Sequence, residues 1–345
     1  MSKFHGAILT KNGFKKGYVT VHNDESSTIY LDEASSSSES YLIIPSLLNA
    51  HTHIGDTFIR KKKIPLPHNV QQLVAPPDGL KHRLLQTTNE EEIIKAMVNG
   101  LKEIKENGIS TFIDFRENGV KGLSLIHKAL QQVSVDSVVL GRPSNLDVTT
   151  KELDDILKLS DGIGLSSVRD WDYDLVKFIV EKTKKKNKIF AIHVSECERE
   201  PIKPILDLEP TFLVHMTMAS KQDLIQVKQQ DIPIVICPRS NHFFGLTPNI
   251  QAMHDIGNTI ILGTDNFMFH PPSILDEIRW IQTHFKGLYS LEELFLMNTY
   301  HARNLFSFKA EKNKDSCCLS WLILDAQNYD IKIILHDVKG VTKKT

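Results

Sequence analysis

Between residues 41 and 263, short apolar runs alternate with amphipathic stretches. Eight of the runs read as strands: Tyr41–Ala50, Ser110–Phe115, Ser137–Gly141, Gly162–Ser166, Ile189–Val194, Thr211–His215, Pro233–Cys237 and Thr259–Gly263. Most are continuous and β-rich, the pattern of strands buried on both faces. Helical patterns fall between most of them. The clearest is Asn89–Asn107, where Ile93, Met97, Leu101 and Ile104 trace one apolar face. Thr88 and Glu91 carry a capping-box signature at its start, and Gly108 stands where a helix-ending glycine belongs. Val120–Gln132, Asp174–Lys186, Ser220–Gln229, Ile250–Ile256 and Ser273–His284 are further helices. Pro201 and Pro204 limit any helix between the fifth and sixth strands to a short or irregular one. A βα alternation repeated eight times predicts an α/β fold of the (β/α)8 TIM-barrel type, with a doubly wound sheet as the alternative.

The ends of the chain follow a different pattern. Gly17–His22 and Ser27–Leu31 are short β-like pieces, followed by a serine run, Ser35–Ser38, that reads as a loop. Leu319–Leu324 and Ile331–Leu335 are again strand-like. These pieces predict a small β-rich, sandwich-like accessory domain from residues 1–42 and 306–345, and a barrel over residues 43–305. From Ile54 to Thr87 no long element is predicted, only prolines, basic residues and the turn signal Pro76-Pro77-Asp78-Gly79. A connection this long is unusual in a compact domain unless it is functional or disordered. It follows the first strand, on what would be the catalytic face of a barrel.

Composition narrows the function classes. The chain has 345 residues, a formal net charge of −1, 41% hydrophobic and 24% charged residues. Such an ordinary globular profile excludes a disordered chain and a strongly basic nucleic-acid binder. Of the basic clusters Arg60–Lys63 and Lys182–Lys188, the second reads as a solvated face at the end of a helix. No apolar run approaches the ~20 residues of a membrane span, and the first residues lack a signal-peptide core, so a cytoplasmic protein is expected. Cys197, Cys237, Cys317 and Cys318 form no CxxC pair, which argues against a thiolate zinc site.

The histidines carry the chemistry. His51 and His53 are two apart at the end of the first strand, so both side chains face one way and can share a metal. An HxH triplet arises by chance about 0.6 times among 15 histidines in 345 residues, so position must do the deciding. His193 closes the fifth strand, His215 closes the sixth, and Asp265 follows the eighth. A barrel would gather all of these on one face, and imidazoles with a carboxylate suit a borderline cation such as zinc. Glu196, three residues after His193, can be brought back by the turn to act as a proton shuttle beside such a centre, against the plainer role of a surface glutamate in the acidic stretch Glu196–Glu200.

The segments IIPSLLNAHTH (Ile43–His53), HVSE (His193–Glu196), LVHMT (Leu213–Thr217), CPRSN (Cys237–Asn241) and LGTDN (Leu262–Asn266) occur in the order found in the amidohydrolase superfamily of metal-dependent hydrolases. The sequence resembles in particular its branch of cytosine deaminase, guanine deaminase and chlorohydrolase/adenosylhomocysteine deaminase-like proteins, over the region Ile43 to Leu305. The resemblance implies that His51, His53, His193 and Asp265 hold one divalent metal ion, zinc or iron. It implies that Asp265 also takes a proton from the attacking water, that Glu196 donates one to the leaving or ring nitrogen, and that His215 polarises the substrate or orients the water. Three features depart from the branch. Gly162–Ser166 has no lysine to bridge two metals, which favours one ion; Ser46 replaces a usual glycine; and SWLILD (Ser320–Asp325) only loosely echoes the corresponding stretch.

Arg116, Trp171 and Asn241 are the candidate substrate contacts, against the plainer roles of ion pairing, packing and holding a turn. His68, His82, His242 and His270 lie in predicted loops. The expected partner is a small-molecule substrate, with neither nucleic acid nor membrane, and a homo-oligomer stays open. The expected activity is hydrolysis of a carbon–nitrogen bond, above all deamination of a cyclic amidine or heteroaromatic amine. Hydrolysis of an amide, a cyclic amide or a C–Cl bond is the rival within the class. A non-catalytic metal-containing barrel that acts as a binding protein is the rival outside it.

Overall fold

The computed structural model describes residues 1–32, 40–76, 78–144, 147–306, 320–336 and 338–343. The Ser35–Ser38 run, Pro77, Cys317, Cys318 and Leu319 therefore lie outside the described residues. The chain divides into two compact units, one of Met1–Leu48, Ile104–Ser110 and Tyr289–Thr345, the other of Asn49–Glu103 and Thr111–Leu288. The fold is α/β: a TIM-type barrel with a small β-rich part drawn from both ends of the chain.

The barrel strands are Leu47–His53, Ile109–Arg116, Asp136–Gly141, Gly162–Leu165, Ile189–Val194, Phe212–His215, Ile234–Ile236 and Ile260–Leu262, each beside the next. The fifth to eighth are buried at every position, which accounts for their unbroken apolar runs. The last strand closes the ring in two pieces. Ile260–Leu262 pairs with the seventh strand, and Asp265–Asn266 pairs with the first, Asp265 opposite Thr52 and Asn266 opposite His53. Between the pieces, the Gly263 amide donates to Ile236 and the Thr264 amide to His51. A Cβ on Gly263 would sit 2.7 Å from that of His51, so this close approach requires glycine.

The helices follow the expected pattern with one correction. Ile93, Met97, Leu101 and Ile104 are buried along Glu90–Glu106, and Gly108 adopts φ +69° beyond its end. Its cap, however, is one residue later than the Thr88–Glu91 spacing predicts. Thr88 closes the preceding helix, Leu80–Thr87, and it is the Asn89 side chain that accepts from the Glu91 amide. The stretch predicted to lack long elements contains only short ones: Ile54–Asp56, Thr57–Lys62, Val70–Leu73 and Leu80–Thr87.

The predicted single strand Tyr41–Ala50 is two strands. Tyr41–Pro45 belongs to the terminal sheet and Leu47–His53 to the barrel. The chain changes sheets at Ser46, whose amide donates to Ser320, while that of Leu47 donates to Gly108. The terminal sheet has seven strands in the order Ile331–Leu335, Trp321–Asp325, Tyr41–Pro45, Ser2–Thr10, Gly13–Val21, Ser27–Leu31, Val338–Lys343. Ile8, Val19, Ile29, Ile43, Trp321, Ile323 and Leu335 form its core, so strands from both termini bury one common apolar face. No helix among the described residues is long and apolar enough to cross a membrane.

Candidate active site

The C-terminal ends of the barrel strands bring His51, His53, His193, His215 and Asp265 together. The donor atoms of His51, His53 and His193 lie within 4.8 Å of one another, and so do those of His51, His215 and Asp265. The backbone turns sharply where these side chains emerge. Ser195, His215, Met216 and Asp265 all adopt left-handed φ between 50° and 76°, a conformation costly for residues other than glycine and concentrated at functional sites.

Asp265 is the hub. Its Oδ1 lies 3.2 Å from His51 Nε2 and 3.4 Å from His53 Nε2. Its Oδ2 accepts from Ser240 Oγ at 2.5 Å and from Asn266 Nδ2 at 2.8 Å. His193 is oriented through Nδ1, 2.7 Å from the carbonyl of Leu165. His53 is oriented through Nδ1, 2.7 Å from Glu117 Oε1. His51 is fully buried; its Nε2 faces Asp265, and its Nδ1 has no hydrogen-bond partner among the described residues. Buried polar atoms without partners are rare and expensive. Here the atom belongs to one of several rings that converge with a carboxylate, so the donor set fits a divalent cation.

Electrostatics sort the same residues. Burial lowers the pKa of His51, with Asp265 opposing, and lowers that of His193 further, so both rings are neutral, as metal ligands must be. Burial, reinforced by Lys81, takes His53 down to about 3. Burial would lift the Asp265 carboxyl, but hydrogen bonding and charge from His51, then His215 and His53, outweigh it and hold the group well below the usual carboxylate range.

A cavity of about 310 Å³ opens onto the cluster, near the lower size of small-molecule sites. His53, His193, His215 and Asp265 form its floor, Glu196 lines it, and Val70–Pro76 of the long connection makes one wall. Glu196 Oε1 stands 3.6 Å from His215 Nε2. Burial raises the Glu196 carboxyl, with His215 opposing and Asp265 adding to the rise. The far ring nitrogen of His215 is 3.3 Å from Asn241 Nδ2, and Asn241 in turn accepts from Thr217.

The three candidate substrate contacts do not line this cavity. Arg116 is 1% exposed, packs against Gly55 and is paired with Glu117 and Asp114. Trp171 is buried, its indole N–H donating to Ser166 Oγ. Asn241 is fully buried behind His215. For Arg116 and Trp171 the plainer roles, ion pairing and packing, are the geometry observed; the Asn241 side chain instead bridges His215 and Thr217. The cavity wall instead presents Lys81, Arg142, Ser166 and Asp170, which sequence reasoning missed. Glu117 was missed as well. It adjoins Arg116 in the DFRE segment, and nothing in its spacing announces contact with His53. Ser240 lies inside the CPRSN segment, the one signal that could have found it.

The family model for the amidohydrolase family matches residues 42–312. An uncharacterized protein of Methanocaldococcus jannaschii is 36% identical over 297 residues, covering 80% of this chain and 74% of that one. A 5-methylthioadenosine/S-adenosylhomocysteine deaminase of Pyrococcus furiosus is 24% identical over 260 residues, covering 66% of this chain and 59% of that one. Among solved structures, 5-methylcytosine deaminase from Klebsiella pneumoniae superposes with a TM-score of 0.72 at 12% identity, over 100% of this chain and 98% of that one, which shows a shared fold. The chain belongs to the amidohydrolase family and is a hydrolase acting on carbon–nitrogen bonds.

Proposed function

We propose that the protein is a deaminase of a cyclic amidine or heteroaromatic amine of purine, pyrimidine or triazine type. It holds one divalent ion, zinc in first place and iron second, on His51, His53, His193 and Asp265. When bound, such an ion supplies Lewis acidity that makes water nucleophilic near neutral pH. Asp265 takes the proton of the attacking water on Oδ1, the oxygen facing the histidines. Its other oxygen is held by Ser240 and Asn266, so the acceptor cannot swing away. Glu196, lifted by burial, carries a proton to the ring nitrogen or the departing amine. His215, braced by Asn241, polarises the substrate or orients the attacking water. Water adds to the carbon, the C–N bond breaks, ammonia leaves and a carbonyl remains.

The observation that carries this reading is the pair Glu196 and His215, 3.6 Å apart on the cavity wall beside the histidine–carboxylate cluster. A structural metal site needs no such proton carrier.

Metal analysis of the purified protein and ammonia release across purines, pyrimidines and triazines form the test. One equivalent of metal, lost in the His51→Ala/His53→Ala variant, and ammonia from at least one heteroaromatic amine are expected. Less than about half an equivalent, unchanged in the variant, overturns the metal assignment. Release of chloride or of a ring-opened acid in place of ammonia moves the reaction to the rival hydrolyses by the same residues.

A further inference from the structure

His51, His53 and His193 differ in what holds the ring nitrogen that faces away from the cluster. For His193 it is a backbone carbonyl, Leu165 O at 2.7 Å. For His51 neither a hydrogen-bond partner nor a carboxylate stands against Nδ1 among the described residues. For His53 a carboxylate stands at ion-pair distance: Nδ1 lies 2.7 Å from Glu117 Oε1, while Nε2 is 3.4 Å from Asp265 Oδ1. Glu117 is itself immobilised, 2% exposed and surrounded by three cations. Lys81 Nζ is 2.6 Å from Oε1, Arg142 Nη2 is 3.4 Å from the same oxygen, and Arg116 pairs with Oε2. Lys81 is in turn shared with Asp56, 2.9 Å away. A carboxylate held at ion-pair distance from one imidazole nitrogen favours the proton on that nitrogen, restrains the ring, and makes the other nitrogen a stronger electron-pair donor.

We propose that Glu117 is the positioning residue for His53: it keeps the proton on Nδ1 and aims Nε2 at the metal position, so that the retention of metal depends on Glu117 although it is not a ligand. Lys81 gives the arrangement its reach. It sits on Leu80–Thr87, the helix that follows the cavity wall Val70–Pro76, so the segment that bounds the substrate space is anchored to the same carboxylate that orients the ligand. The proposal rests on the reading of His53 as a ligand and goes beyond it, since that reading assigns Glu117 no role.

The test uses the zinc-loaded full chain and reads metal, not turnover. Zinc affinity is measured by competition with a chromophoric chelator for the native protein, Glu117→Gln and Glu117→Asp. Folding is checked by the thermal transition, and the His53 proton is located by nitrogen NMR of the zinc-loaded protein. Glu117→Gln is expected to bind zinc 10- to 100-fold more weakly while remaining folded, and to lose the single Nδ1-protonated form of His53. Glu117→Asp keeps the charge but shortens the reach and is expected to fall between the two; it serves as the readout if the glutamine variant does not fold. Zinc affinity within twofold of native in a folded Glu117→Gln, or in Glu117→Asp if only that variant folds, overturns the proposal and leaves Glu117 as a counter-ion for Lys81, Arg116 and Arg142. A native protein that binds no zinc, iron or manganese overturns the ligand reading itself, which separates the two failures.

Discussion

Two groups of buried polar side chains meet at His53, and they are built on opposite rules. On one side, the imidazoles of His51, His53, His193 and His215 surround the Asp265 carboxylate, and His51 Nδ1 has no hydrogen-bond partner among the described residues. On the other side, Lys81, Arg116 and Arg142 alternate with Asp56, Asp114 and Glu117, so that every charge has an opposite within 3.4 Å. The second group sets its charges against one another in pairs. In the first, the partners of Asp265 Oδ1 are imidazoles. On the proposed reading, the contrast separates a donor set that fits a cation from a charge network that supports it.

The sharpest way to break this contrast is Glu196→Gln. Glu196 borders the first group and has no place among its donors, so the variant is expected to keep its metal while turnover falls by roughly 10²- to 10⁴-fold. Metal loss measured in parallel would place Glu196 among the ligands and redraw the boundary. Next comes Lys81→Met, aimed at the second group. It strands Asp56 and Glu117 without their shared cation, and unfolding by urea should show a loss of about 3–5 kcal/mol. A loss below about 1 kcal/mol would show that the remaining arginines suffice and that the network is redundant.

A pH series compares two carboxylates with different numbers of cations. Glu117 has three and is held well below its ordinary pKa against the pull of burial, by Lys81 first. Glu277 is equally buried but has Arg239 alone, its amide 3.0 Å and its guanidinium 3.6 Å away, and burial lifts it to about 8. A carboxyl raised on folding contributes stability that is fully present below its unfolded pKa of about 4.5 and is lost as pH rises through about 8. The native protein should therefore lose on the order of a few kcal/mol between pH 5 and pH 8 that Glu277→Gln, which keeps an acceptor for Arg239, does not lose. Parallel stability curves for the two proteins would refute the assignment.

The first group was legible in the sequence, and the second was not, for a physical reason. His51, His53, His193, His215 and Asp265 each close an apolar run, and strand ends are visible as the place where hydrophobicity stops. The barrel then gathers strand ends on one face whatever the loops do. Glu117 and Lys81 are joined only by tertiary structure. Lys81 comes from a connection without periodicity, and the residues that neutralise it are 25 positions before it and 36 after it. The same reasoning explains why Arg116 and Asn241 do not line the cavity. Arg116 and Asn241 do follow strands, but one is drawn into the charge network and the other into the support of His215. The change of sheet at Ser46 was hidden because Tyr41–Pro45 and Leu47–His53 are both buried, so the apolar pattern runs through the break without a mark.

The smallest effect probes the contrast within one side chain. Asp265 turns Oδ1 to the histidines and Oδ2 to two hydrogen-bond donors, so the two oxygens belong to the two kinds of environment. Ser240→Ala removes the closer donor, at 2.5 Å, and leaves Asn266 at 2.8 Å. The ligand-facing oxygen is untouched, so metal content should not change. The carboxylate gains freedom to rotate, and its remaining charge is less well solvated, so proton transfer from water should slow. A fall of about tenfold in kcat with little change in KM is expected, the lower end for removing an outer partner of a metal-site carboxylate. If kcat holds and the metal leaves instead, both oxygens serve the ion, and the division of labour assigned to Asp265 is wrong.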